Sequence, residues 1–123
     1  MSNQIQNPND KKKFDLAERT AKFGEDVITF ISKLRGSPIN NPIISQTVRA
    51  ATSIGANYME ADGAESRKDF LHKIGICKKE SKESMHWLRM IAKANPDHVE
   101  ESRKYWQEAH ELTLIFSSIF KQK

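Results

Sequence analysis

One cysteine, Cys77, is all the thiol chemistry in a chain of 123 residues. It excludes an intrachain disulfide and a cysteine-based zinc site. Glycine and proline are scarce, at 5 and 4 residues, and β-branched residues occur only in short runs, so helix is favoured over sheet. No apolar run approaches the roughly 18 residues that a membrane-spanning helix needs. Ser2, Asn3, Gln4 and Gln6 are polar and make no signal-peptide core; a cytoplasmic protein is expected. There is no phosphate-binding glycine loop and no Gly-x-Ser-x-Gly.

Metal chemistry is equally poorly provided for. Glu83-Ser84-Met85-His86 has the Glu-x-x-His spacing that di-iron bundles use to place two ligands on one helix face. Such sites need a second copy of the motif, and Glu108-Ala109-His110 has the wrong spacing. His72, His98 and His110 are scattered. Cys77 falls on an apolar seam, where burial raises a thiol pKa and makes it inert. The chain is read as non-catalytic, without metal or cofactor.

What the sequence does contain is helical periodicity. The length fits one domain. Residues 1–12 are polar, end beside Lys11-Lys12-Lys13, and read as a loose arm. Leu16, Thr20, Phe23, Val27, Phe30 and Leu34 then recur at steps of four and three, the seam of a bundle helix over 14–35, with Gly36 as its stop. A second helix is expected from Asn41-Pro42, Asn as cap and Pro in the first turn. Its seam is Ile44, Val48, Ala51, Gly55 and Tyr58, with Asp62-Gly63 as its end. A third starts at Ser66, with Asp69 at the spacing of a capping box. It carries Phe70, Ile74, Cys77, Ser81, Ser84, Leu88 and Ile91 inward. Asn95-Pro96-Asp97 breaks the chain, and a fourth helix turns Tyr105, Ala109, Leu112, Phe116 and Ile119 inward, with Trp106 and Phe120 beside that seam. Four helices with short connections predict an all-α, antiparallel up-down-up-down four-helix bundle over 13–121.

Three groups of residues stand out from that scaffold. Arg49, Ser53, Asn57 and Glu60 share one face of the second helix, and Glu80 and Glu83 lie within an apolar stripe of the third. Charges there are costly unless paired. The expected arrangement is a structural polar network, with Arg49 bridging to one carboxylate and Asn57 bonding a neighbouring helix end. The same stripe of the third helix holds Ile76, Trp87 and Met90, more apolar surface than one antiparallel neighbour covers. Aromatic and Met side chains suit interface cores, so these three are read as an oligomer interface. Finally, residues 65–95 hold eight bases (Arg67, Lys68, Lys73, Lys78, Lys79, Lys82, Arg89, Lys93) against four acids (Glu65, Asp69, Glu80, Glu83). That net of +4 equals the whole chain's formal net charge of +4. Arg67, Lys68, Lys78, Lys79 and Lys82 are the candidate phosphate contacts. A solvated lysine face is the alternative, and no sequence-reading module is present.

Arg49, Thr52-Ser53-Ile54-Gly55-Ala56-Asn57-Tyr58, Glu60-Ala61, Glu65-Ser66, Asp69-Phe70, His72-Lys73, Lys79-Glu80, Glu83 and Trp87-Leu88-Arg89 form a long shared pattern. In it the chain resembles the bacterial four helix bundle proteins, also called ribosomal RNA intervening-sequence proteins. The resemblance covers about 14–92, and Cys77-Lys78 departs from the more apolar pair common in that family. It implies an antiparallel bundle that assembles into rings, commonly homopentamers. It also implies a relation to a branch in which a basic pentamer engages a reverse transcriptase and nucleic acid. The expected function is therefore a non-catalytic homo-oligomer that binds structured RNA or a nucleic-acid enzyme through a basic face. The alternative is a protein–protein scaffold without nucleic-acid binding.

Overall fold

The computed structural model describes residues 8–121, with side-chain arrangements from Leu16 onward. The helices are α1 (Pro8–Ile31), α2 (Asn40–Asp62), α3 (Arg67–Ala94) and α4 (Val99–Lys121). A single 3₁₀ turn, Pro96–His98, leads into α4. Packing is closest between α2 and α3 and between α3 and α4; α1 packs on α2 and meets α4 only sparsely. This is an antiparallel up-down-up-down four-helix bundle.

The helix ends depart from expectation in three places. α1 already includes residues 8–12 of the expected arm; Pro8 sits where a missing N–H is no loss. Residues 1–7 of that arm lie outside the described residues. At its other end α1 stops at Ile31. The Lys33 and Leu34 N–H groups donate to the Phe30 and Ile31 carbonyls at 3.1 Å each, tightening the last turn. Gly36 has no positive φ, so it is not a left-handed cap. Asn41 lies inside α2 and does not cap it: the Asn40 N–H donates to Ser37 Oγ at 2.8 Å, and Asn41 Oδ1 accepts from the Ser37 N–H at 3.2 Å. Pro42, the third residue of α2, falls in the first turn as expected. At α3 the Asp69 N–H donates to Ser66 Oγ at 3.0 Å, as the capping-box spacing predicts.

The core follows the seams of α1, α3 and α4 closely. Phe23, Val27, Phe30, Ile74, Cys77, Leu88, Ile91, Ala109, Leu112 and Phe116 are buried. On α2 the inward face is rotated from the expected one. Thr47, Ala50, Ala51, Ile54, Tyr58 and Ala61 are buried, while Ile44, Val48 and Gly55 are only half-buried. The reason is that α2 has neighbours on two sides. Gly55 faces α1, where a Cβ would lie 3.4 Å from the Thr20 backbone. Ile54 faces α3, and the Cys77 thiol donates to its carbonyl at 3.6 Å.

Polar contacts close the two places where apolar packing thins. Asn40 and Asn95 form a reciprocal amide pair, at 2.9 and 3.0 Å, between the ends of α2 and α3. Asn40 also donates to the Arg35 carbonyl and Asn95 to the Ile91 carbonyl. Across the open α1–α4 flank, Arg19 grips Glu108 with two bonds of 2.7 and 2.9 Å and reaches Glu111 at 2.7 Å. Lys33 pairs with Glu101 at 2.9 Å. Partly exposed pairs of this kind contribute about 0–1 kcal/mol each, against roughly 1.5–3 kcal/mol for burying a large apolar side chain such as Phe23 or Phe30. Core burial therefore holds α1 in place, and the ion pairs align its flank.

Two glycines on the α1–α2 contact differ in how much they tolerate. A Cβ on Gly24 would meet Thr52 at 3.5 Å, an ordinary contact, so Gly24→Ala should stabilise by about 0.5–1 kcal/mol through helix propensity. Gly55→Leu drives a long side chain at the α1 backbone and should destabilise by about 1–3 kcal/mol. Urea midpoints at unchanged m-value test both.

Candidate nucleic-acid interface

The polar network predicted between α2 and α3 is three separate arrangements. In the first, Arg49 on α2 reaches both carboxylates on α3. Its Nη1 donates to Glu80 Oε1 at 3.2 Å and its Nη2 to Glu83 Oε2, while its Nε donates to Gln46 Oε1 at 3.0 Å. The Trp87 indole N–H also donates to Glu83, at 3.2 Å. Glu80 is buried, with its side chain 11% exposed, so its charge depends on this guanidinium. In the second, Asn57 Nδ2 donates to the Ser53 carbonyl and Oγ, at 2.9 and 3.2 Å, within α2 itself. The expected bond from Asn57 to a neighbouring helix end is thus corrected: a carbonyl one turn back is nearer. In the third, Glu60 turns to Lys73 of α3 at 2.6 Å and takes no part in the Arg49 cluster.

This arrangement sets the electrostatics of α3. Glu80 and Glu83 are drawn against α2, and Lys73 is held by Glu60. On the outer side stand Lys68, Lys79, Lys82, Arg89 and Lys93, all exposed, with Lys78 half-buried; none of these six has an ion pair among the described residues. Lys78, Lys82, Arg89 and Lys93 follow one another at steps of four, seven and four, a single helix face. From Lys68 to Lys93 the row runs about 37 Å. Arg67 is exposed too, with its guanidinium 5.9 Å from the Phe70 ring centroid. In the sequence Arg89 and Lys93 count only toward the net charge of residues 65–95. Their register with Lys78 and Lys82 was the available signal that they extend the same row.

Beside this row, α3 and α4 enclose a groove of about 400 Å³. Trp106 lines it, half-buried, with the His110 ring edge-on at 5.3 Å. Ile76, Trp87 and Met90, the expected oligomer interface, are each half-buried and stand outside the hydrophobic cluster of the bundle. Cys77 is fully buried, and burial pushes its thiol up to about 12. Among the described residues no group of three or more His, Cys, Asp or Glu is arranged to hold a metal ion, and no helix is long and apolar enough to cross a membrane.

An all-α bundle with one cationic helix face is thus the class of protein in hand. The family model described as 23S rRNA-intervening sequence protein matches residues 12–118, and the chain belongs to that family. A crystal structure of a protein with unknown function from the S23 ribosomal protein family of Bacteroides thetaiotaomicron is similar, with a TM-score of 0.80 at 27% identity. The match covers 89% of this chain and 98% of that one. No match is found among curated proteins.

Removing the Arg49 guanidinium strands a buried carboxylate. Arg49→Ala should destabilise by about 1–3 kcal/mol, and adding Glu80→Gln should return part of that loss; equal unfolding midpoints for the parent and Arg49→Ala would rule out the dependence. Burial raises both the Cys77 thiol and the Tyr58 hydroxyl above their ordinary values. Each is neutral in the fold and ionises more readily in the unfolded chain. Stability from these groups is therefore complete at neutral pH and falls as pH rises through the ordinary thiol value of 9.0 toward 12. Alkaline unfolding should start later in Cys77→Ser, which has no thiol to ionise there.

Proposed function

We propose that this protein is a non-catalytic homo-oligomer that binds structured RNA through the outer face of α3. The observation that carries the reading is the row of Lys68, Lys78, Lys79, Lys82, Arg89 and Lys93, unpaired among the described residues, on a helix whose Glu80 and Glu83 are both paired with Arg49 of α2. Cations without protein partners keep their full attraction for phosphate, and each phosphate neutralised releases counterions. Such contacts fix position on a backbone and read no sequence. Membership of a family named for an intervening sequence of 23S rRNA favours RNA over other polyanions.

Oligomerisation rests on Ile76, Trp87 and Met90. Three half-exposed apolar side chains outside the core cluster leave surface that a second copy covers. The family resemblance favours five subunits, and a ring repeats the basic row once per subunit.

Titration of a structured ribosomal RNA fragment at several salt concentrations tests the first part. Log affinity should fall linearly with log salt, and changing Lys78, Lys79 and Lys82 together to Gln should flatten that slope by about 2–3. Absence of binding even at low salt would leave a protein–protein scaffold as the better reading. Trp87→Lys should lower the mass measured by light scattering, and an unchanged mass would count against the interface.

A further inference from the structure

The α3–α4 groove has chemistry that a phosphate-binding row does not need. Leu88, Ala92 and Val99 supply apolar walls, and the Trp106 indole stands beside them. Arg89 and Arg103 flank it, one from each helix, and no acidic residue lines it. Arg89 has no ion pair among the described residues. Among the described residues Arg103 has an ion pair only with Glu100, at 3.4 Å between two largely exposed side chains, a contact weak enough to yield to a better anion. Lys93 lies one turn beyond Arg89 on the same face. Ser102 offers no competing donor, because its Oγ is bonded to the Leu88 carbonyl at 2.6 Å.

An apolar slot with an aromatic wall between two cations excludes several ligands. Duplex RNA keeps its bases stacked inside, so it meets lysines and arginines but leaves an indole idle. An acidic peptide would satisfy the arginines and not the apolar wall. An unpaired nucleotide satisfies both: its base stacks on an aromatic face, and its phosphates lie against flanking arginines. The volume of about 400 Å³ falls in the range of about 300–1,000 Å³ common to small-ligand sites. The groove also opens beside the cationic row, so a strand leaving a duplex on α3 passes directly over it.

We infer that the α3–α4 groove receives an unpaired nucleobase of a bound RNA, stacked on Trp106 with its phosphates between Arg89 and Arg103. This rests on the RNA-binding reading and adds to it a preference for single-stranded segments.

The full chain, its Trp106→Leu and its Trp106→Phe variants are titrated at moderate salt with an unstructured oligouridylate and with a duplex RNA. Trp106→Leu should weaken oligouridylate binding about tenfold or more, leave duplex binding unchanged and leave the salt slope intact. Trp106→Phe, which keeps an aromatic face, should retain most of the binding. Two tryptophans are present, so Trp87→Phe makes Trp106 the sole indole, and oligouridylate should quench its emission. Should Trp106→Leu fail to fold, Trp106→Phe and Arg89→Gln carry the comparison, Arg89→Gln weakening both RNAs. Parent binding of both RNAs with no selective loss in Trp106→Leu and no quenching overturns the stacking site and leaves the phosphate row standing. No binding of either RNA by the parent removes both.

Discussion

The contact between α2 and α3 is the constraint on which the rest of the molecule depends. Its seam is small: Ala50 and Ala51 on one side, Cys77, Ser81 and Ser84 on the other, all fully buried. Ser81 and Ser84 satisfy their hydroxyls on their own helix, at the carbonyls of Cys77 and Glu80. They therefore present only small, locally satisfied surfaces to α2. The helices approach until the Cys77 sulfur meets the Ile54 carbonyl. At that separation Arg49 spans from α2 to both Glu80 and Glu83. Packing thus decides charge distribution: the close seam brings the guanidinium within reach, the guanidinium takes the acids, and the outer face of α3 is left cationic.

The two longer-range polar systems answer a different need. α1 and α4 share little apolar contact, and their flank is spanned by Arg19 with Glu108 and Glu111 and by Lys33 with Glu101. Carboxylate hydrogen bonds and charge hold the Arg19 guanidinium even more firmly protonated than usual. Phe30 tilts against Tyr105 across the same flank, with ring centroids 5.5 Å apart. The side chains of these pairs stay partly exposed where the α2–α3 seam is buried, so their contribution is alignment more than stability.

Most of the fold was legible because helix periodicity and turn chemistry are local. The α1, α3 and α4 seams fall where the four-three spacing puts them, and Ser66 caps α3 as its neighbour Asp69 implies. The α2 face was harder to read. Its small residues lie all around the helix, so periodicity could not distinguish the side toward α1 from the side toward α3, and Ile54 was overlooked. The candidate site was legible in part. That Arg49 meets a carboxylate follows from the cost of burying Glu80; that it meets both, and that Glu60 chooses Lys73, depends on interhelical register. The groove at Trp106 and the Asn40–Asn95 pair each join residues of different elements, which no local pattern brings together. Asn95 in particular reads locally as a helix breaker and nothing more.

The same smooth seam that lets α2 and α3 approach so closely gives them little to stop sliding along one another. Interlocking side chains fix the stagger of most helix pairs, but alanine and serine offer shallow knobs and shallow holes. Here the stagger is set by directional contacts at three heights. The Asn40–Asn95 amides sit at one end, Arg49 with Glu80 and Glu83 along the middle, and Glu60 with Lys73 toward the other. A displacement of one helical turn, about 5.4 Å, would break all three together. The polar side chains act as a vernier along a seam of mostly small residues, and the spacing of everything mounted on α3 relative to α2 is tied to them.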